Sequence, residues 1–501
     1  MKGAHHIAIS YFRSNNMTEQ TAENFGLSGL TDKGARDEFF YLCAINRATL
    51  VTNAAQGLVA ADKAPVYARA IDEVTKHGVR TDRVIKLEPQ LIAIAGPEIT
   101  ELHVGRSSQD MHSTYRLAML RDDVLAVHQA LSSVIDAFTT LAEKFRDVVV
   151  PNYTNGVAAQ PNSLGHYLLG MSDGFLRDRE RLEELYGRVN RSPMGSTVLN
   201  GTGWPLNRRL MAEKLGFDGI IENAFDATQG ATVDLPLEFT QVMQSVALHS
   251  ACFIQDVMVQ YAQPRPWMIL AEGDDTTYVS SAMPQKRNPG LMNNTRTLAS
   301  QVAAGAVEAA FLMHNLMPGM QDAKNVASRR AVSEKTLALM AGMMKILKAL
   351  KVSPDRALEE LNSDWTATQE VADELMRRYH VPFRVGHHAA SAMVTYARAN
   401  NLTPLTFPYA KMAELFREVT AKEWHEEAFP MSEAEFKAAL DPKAIVEARA
   451  TEGGPQKASL DKLLAERRTV NQKAGEFRTA AESRIIKALG ALETEFAAFL
   501  K

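Results

Sequence analysis

Between Leu117 and Phe145 the apolar positions Leu117, Leu120, Val124, Val127, Leu131, Val134, Phe138, Leu141 and Phe145 follow one another in steps of three and four residues. Such an unbroken alternation marks a long amphipathic helix whose seam needs a second long helix against it. Helical periodicity over 163–189, 236–262, 290–315 and 327–350, each stretch bounded by Pro, Gly or Asn-rich breaks, predicts further long helices. Together they predict an all-α fold built on a central long-helix bundle at 112–361. Upstream, interruptions at Gly29, Gly57, Gly78 and Gly96-Pro97 shorten the helical pattern and define an N-terminal helical domain at 1–111. From Asn362 the segments shorten again between Pro382, Pro404, Pro408 and Pro430, giving a small C-terminal helical domain at 362–501. Residues 441–465, with Gly453-Gly454-Pro455, read as an insertion or mobile loop. Strand signals are sparse, and Val148-Val149-Val150 before Pro151 is the best of them.

Composition narrows the function classes. The 501 residues are 46% hydrophobic, enough for a large core and, at roughly 100 to 200 residues per domain, about three domains. With 55 basic against 59 acidic residues and no long run of like charge, nucleic acid is not an expected partner. Cys43 and Cys252 are far apart and outside any metal-ligand spacing, which argues against a disulfide framework or a zinc site and fits a reducing cytoplasm. The start, Met-Lys-Gly-Ala-His-His, lacks the basic and apolar regions of a signal peptide, and no stretch reads as a run of roughly 20 apolar residues. A cytoplasmic protein with no membrane partner is expected. No HExxH or similar cluster suggests a metal, and no cofactor is expected. His166, His387 and His388 read as structural histidines, His5-His6 as a packed or exposed terminal pair, and Met340, Met343 and Met344 as core filler.

The chemistry concentrates in Val279-Ser280-Ser281-Ala282-Met283-Pro284-Gln285-Lys286-Arg287-Asn288-Pro289-Gly290. Two adjacent hydroxyls, a lysine and an amide can surround a dicarboxylate, while Pro284 and Pro289 limit the conformations of the segment. The polar run 273–277 before it and Gly290 after it suggest a loop between helices, able to act as a lid. This S-S-x-M-P-x-K-x-N-P core resembles the signature loop of the fumarase/aspartase superfamily, whose members eliminate an amine or water from a succinyl group to leave fumarate.

Further segments carry the resemblance in the expected order. Gly105-Arg106-Ser107-Ser108-Gln109-Asp110 is similar to the G-R-S-R-N-D segment of argininosuccinate lyases and to S-S-N-D of fumarases. Hydroxyls, an amide and backbone N–H groups at a helix start suit a carboxylate, although Ser107 or Ser108 can equally serve as the helix cap. Pro151 to Pro161 resembles G-Y-T-H-L-Q-x-A-Q-P with Asn155 in the place of the histidine. Ser192-Pro193-Met194-Gly195-Ser196, Gln321-Asp322-Ala323-Lys324 and Val381-Pro382-Phe383-Arg384 with His387-His388 also match that branch. The branch's tyrosine is Leu316 here, its following N-R-D is Met317-Pro318-Gly319, and its second arginine is Ser108. These departures fall on the amine side of the pocket and leave the fumarate side intact.

The resemblance implies a three-domain fold, a homotetramer with a shared helical core, and active sites each built from three subunits. It implies that Ser280 is the general base. Ser281, Lys286, Asn288 and loop amides then stabilise the enediolate, with Met283 in the same loop. Arg106, Ser107 and Thr154 hold the other carboxylate, Ser108, Gln109 and Asn155 line the pocket, and Lys324 with Gln321 faces the distal part of the substrate. An amide at Asn155 cannot shuttle a proton, so the leaving group is expected to be an aliphatic amine that needs no enzyme-supplied proton. The function expected is carbon–nitrogen cleavage of an N-substituted aspartate, an aminopolycarboxylate such as ethylenediamine-N,N'-disuccinate (EDDS). Argininosuccinate cleavage and a non-catalytic structural role, as in lens crystallins of this branch, are the alternatives.

Overall fold

The computed structural model describes residues 36–273, 275–320, 324 and 326–501. The expectations for His5-His6, Gly29 and Gln321 lie outside the described residues. Three helices, α1 (Glu38–Ala55), α2 (Ala64–His77) and α3 (Val84–Ala95), form an N-terminal layer. Its buried residues, among them Leu42, Ile45, Tyr67, Ile71 and Leu87, belong to the same hydrophobic core as the central bundle.

The predicted seam is α4 (Ser108–Lys144), and its apolar positions from Leu117 to Phe138 are buried. Ser107 starts it with a capping box: its hydroxyl accepts from Gln109 N–H at 3.1 Å, and its own N–H donates to the Asp110 carboxylate at 2.7 Å. α4 packs on α5 (Leu164–Val189) and also meets α6 (Ala231–Gln260). α6 packs on α7 (Gly290–Met313), which packs on α8 (Val326–Ala349), and α8 closes back on α4. At the centre the Phe138 ring meets Phe253 edge-on, with centroids 5.0 Å apart, and stacks near Phe175 at 5.9 Å. α6 begins more than a turn before its predicted start and carries Pro236 inside it.

The chain enters α5 through a close approach at Gly165, where a Cβ would lie 2.6 Å from the Ala142 carbonyl oxygen and 2.7 Å from the Arg146 Cα. Both are backbone atoms and cannot rotate away. Gly165→Ala is therefore expected to destabilise the protein by about 1–3 kcal/mol. Urea unfolding at fixed protein concentration checks this, and an unchanged midpoint refutes it.

α4 and α6 are long and apolar enough to cross a membrane by composition, which the sequence reading overlooked. Both are built into the bundle, and α4 also carries the buried groups Asp110, Arg121, Asp123 and His128. Arg121 donates to Asn190 Oδ1 at 3.0 Å and to the Gly216 carbonyl at 3.0 Å, which suits a protein interior rather than lipid.

Strands are few and short. β1 (Val149–Thr154) and β2 (Val157–Ser163) form an antiparallel hairpin, and β3 (Met268–Leu270) pairs with the later β6 (Leu350–Val352). Between them β4 (Tyr278–Val279) pairs with β5 (Arg287–Asn288).

The region after Asn362 divides in its packing. Helices α9 (Thr368–Tyr379), α10 (Phe383–Ala399), α11 (Tyr409–Glu423) and α12 (Glu433–Leu440) enclose a separate core with Trp365, Leu375, Phe407, Phe416 and Phe436. By contrast, α13 (Lys457–Ala497) returns to the main core through Leu460, Leu464, Ile485, Leu492 and Phe496. This corrects two expectations: 362–501 does not pack as one small unit, and 441–465 is not simply a loop. Helix Pro442–Ala448 and the first turns of α13 occupy most of that stretch. The reason lies in Leu460 and Leu464, whose apolar surface is buried on the bundle.

Candidate active site

The helix start at α4 is fixed by one buried carboxylate. Asp110 accepts from the Ser107 N–H and, through its second oxygen, from the Gly195 N–H at 3.0 Å and the Thr197 N–H at 3.2 Å. Burial pushes its pKa up, against the pull of these three donors. Thr197 returns a hydrogen bond to the Gly105 carbonyl at 3.0 Å, so the 192–201 loop is tied to the 105–110 turn from both sides. Gly105 has a φ of 63° and sits where a Cβ would run into the Leu206 side chain. Asp110 ends the 105–110 motif, and its part in the site is to hold these backbone groups together. Its signal was an acid at the third position of a helix whose cap is serine.

Ser107 is the cap, as one of the two sequence readings held. Ser108 is exposed beside it, and Gln109 is half-buried with its Nε2 lacking an acceptor. Arg106 points inward instead. Its guanidinium donates to Asn46 Oδ1 at 2.8 Å and Thr49 Oγ1 at 2.9 Å, and burial lowers its pKa to about 10. That placement makes Arg106 an anchor between the 105–110 turn and α1.

Thr154 and Asn155 stand exposed at the tip of the β1–β2 hairpin. Asn155 has φ 55° and Gly156 φ 75°, the pair of left-handed residues that a tight two-residue hairpin turn demands. The Asn-Gly dipeptide was the missed sequence signal for this hairpin. It also gives Asn155 a backbone reason to be asparagine. Below the tip, the Trp267 indole donates to the Tyr153 hydroxyl at 2.9 Å, and Tyr153 bonds Glu360. A cavity of about 500 Å³ opens here, with Tyr153, Tyr167, Cys252, Asp256 and Trp267 in its wall.

The signature segment is a hairpin rather than an open loop. Tyr278 pairs with Asn288 and Val279 with Arg287, and Ser280 N–H donates to the Lys286 carbonyl at 3.2 Å. Inside the turn the Ser280 hydroxyl oxygen accepts from the Met283 N–H at 3.3 Å and the Ala282 N–H at 3.4 Å. Two amide dipoles thus point at the Ser280 oxygen, an arrangement that favours negative charge there. The Asn288 side chain donates to the Tyr278 carbonyl at 3.4 Å, and Arg287 ties the turn to Glu272 at 3.0 Å. Ser281, Met283 and Lys286 are exposed.

Lys324, just before α8, is 5% exposed, and its Nζ has no hydrogen-bond acceptor. Burial and the charge of Arg116 lower its pKa to about 8. Arg116, on α4, was not singled out by the sequence reading. Of the histidines, His166 bonds the Gly453 carbonyl at 2.8 Å and His388 pairs with Glu423, contacts that suit structural roles. Met340 and Met343 are core residues. Among the described residues no cluster of His, Cys, Asp or Glu could hold a metal ion.

Within one chain the pieces remain apart. The α4 start neighbours Lys324 through Arg116, but among the described residues no hydrogen bond or ion pair joins the Ser280 hairpin, the Thr154–Asn155 tip and the α4 start to one another.

The sequence profile of a lyase family matches residues 44–304, and that of the argininosuccinate lyase C-terminal region matches 364–447. Argininosuccinate lyase 1 of Shouchella clausii is 25% identical over 431 residues, covering 84% of this chain and 85% of its own. The argininosuccinate lyase of Methanothermobacter thermautotrophicus is 27% identical over 411 residues, covering 80% and 86%. The crystal structure of EDDS lyase in complex with formate superposes with a TM-score of 0.85 at 23% identity, covering 96% of this chain and 95% of that one. The chain therefore belongs to this lyase family, in the argininosuccinate lyase-like branch of the fumarase/aspartase superfamily. It is a carbon–nitrogen lyase that forms fumarate.

Proposed function

We propose that the enzyme cleaves an N-substituted aspartate other than argininosuccinate, an aminopolycarboxylate such as EDDS, to fumarate and an amine. The observation that carries the chemistry is the Ser280 oxygen held under the Ala282 and Met283 N–H groups. Ser280 takes the proton beside a succinyl carboxylate. The enediolate that forms is met by Ser281, Lys286, Asn288 and Met283 of the same hairpin, while Ser107, Gln109 and Thr154 take the rest of the succinyl group and Ser108 and Asn155 border the amine. The carbon–nitrogen bond then breaks and the amine leaves with the proton it already carried, since aliphatic amines titrate near 10. Asn155 fits this economy because its amide orients but does not donate a proton to the leaving atom.

The active site is completed by neighbouring copies in a homotetramer. Two features support this: Ser281, Met283 and Lys286 of the signature hairpin face solvent in the single chain, and the bundle leaves large apolar groups uncovered, Leu248 at 60% and Phe311 at 74% exposed. A cytoplasmic setting agrees with two free cysteines.

The curated relatives favour a second reading, argininosuccinate cleavage. Leu316 and Asn155 in place of the branch's tyrosine and histidine weigh against it. Mixing the protein with fumarate and a panel of amines, and following the loss of fumarate's ultraviolet absorbance, separates them. Consumption with diamines but not arginine is the expected result. Arginine-only consumption gives the second reading, and silence across the panel leaves a structural relative.

A further inference from the structure

Along α4, Gln109, Ser113 and Arg116 follow at spacings of four and three residues and so share one face. That face holds polar groups without partners: Gln109 Nε2, Ser113 Oγ, and both Nε and Nη1 of Arg116. The Lys324 ammonium, also without an acceptor, is close enough for Arg116 to depress its pKa. Another cation that acts on Arg116, Arg329, is matched by Asp123 at 2.5 Å. Arg116 bonds the Tyr115 side chain and feels the charge of Asp82, which makes no hydrogen bond to it, and its guanidinium lies 5.6 Å from the Tyr115 ring centroid. Half-buried Arg116, with Nε and Nη1 shut away from solvent, and buried Lys324 thus stand near one another with donors that no carboxylate accepts from.

Leaving such charges unpaired is costly, because burial strips their water and returns nothing. A carboxylate arriving between them would recover that cost, and the planar guanidinium presents paired N–H groups that match its two oxygens. The fumarate half of the substrate already has its receptors in the Ser280 hairpin and the helix start.

We propose that Arg116, with Lys324 beside it, holds a carboxylate carried on the amine half of the substrate, and so selects acidic amines over plain ones. This rests on the reading of the protein as an N-substituted aspartate lyase and adds what kind of amine it takes.

The test uses the full-length assembled protein in the addition direction. Fumarate is paired either with ethylenediamine or with N-(2-aminoethyl)aspartate, its monosuccinyl derivative. In Arg116→Met the KM for the acidic amine is expected to rise by about tenfold, the loss of one charged hydrogen-bonding partner. The KM for fumarate and for ethylenediamine should stay within about twofold, and Arg116→Lys should recover part of the loss. An equal rise for both amines, a rise for fumarate, or no change overturns the proposal. So does dissociation of Arg116→Met on size-exclusion chromatography, which would place Arg116 against another copy of the chain. If the wild type accepts only arginine, the proposed substrate fails but the carboxylate receptor is still read, by comparing arginine with agmatine, its decarboxylated counterpart. If it turns over no amine, calorimetric titration of EDDS into wild type and Arg116→Met decides, and equal or absent binding overturns the receptor.

Discussion

Ser280→Ala is expected to lower kcat by about 10²- to 10⁴-fold, the range for removal of a positioned general base. KM should change little, because the hydroxyl does its work as the proton moves and contributes little to holding the ground state. The fold should be untouched. Ser280 lies in an exposed hairpin held by main-chain bonds, including its own N–H to Lys286, and by Arg287 with Glu272. Alanine keeps all of these. Fumarate release measured at saturating substrate, beside circular dichroism and unfolding curves, separates lost chemistry from lost structure. A variant with wild-type kcat removes Ser280 from the mechanism.

Asp110→Ala should be the most damaging single change to stability. Three backbone N–H groups, those of Ser107, Gly195 and Thr197, lose their acceptor at once. At 1–3 kcal/mol for each buried donor left unmade, and allowing water to reach some of them, a loss of about 3–5 kcal/mol follows. Because the same carboxylate ties the 192–201 loop to the helix start, activity should fall along with stability. Urea unfolding at one protein concentration measures the first, and a loss under about 1 kcal/mol contradicts the assignment. Asp110→Asn, which keeps one acceptor oxygen, should lose less.

The bundle was legible because a seam such as Leu117 to Phe138 repeats over many turns and only one structure buries it. The lyase class was legible because Ser280, Lys286 and Asn288, the core of its signature, are neighbours in sequence. Other features depended on contacts that sequence spacing does not encode. Asp110 reaches Gly195 and Thr197 across 85 and 87 residues, and Arg106 reaches Asn46 across 60. No local pattern announces where such a side chain will turn. The place of Lys457–Ala497 was hidden for a related reason: Gly453-Gly454-Pro455 looks like the edge of a loose segment until Leu460 and Leu464 are seen against the bundle. Arg116 carries no local signal in the sequence, and only its Nε and Nη1, shut away from solvent without acceptors, distinguish it.

The final helix has a bearing on how this protein is made. Its Arg484 and Glu493 pair with Asp218 and Arg47, and its Phe496 fills a place in the core begun by the first described helix. On the ribosome the segments before it therefore wait, with one wall of their interior missing, until Lys457–Ala497 has been synthesised. A nascent chain stalled before Lys457 should present an open apolar trough to chaperones.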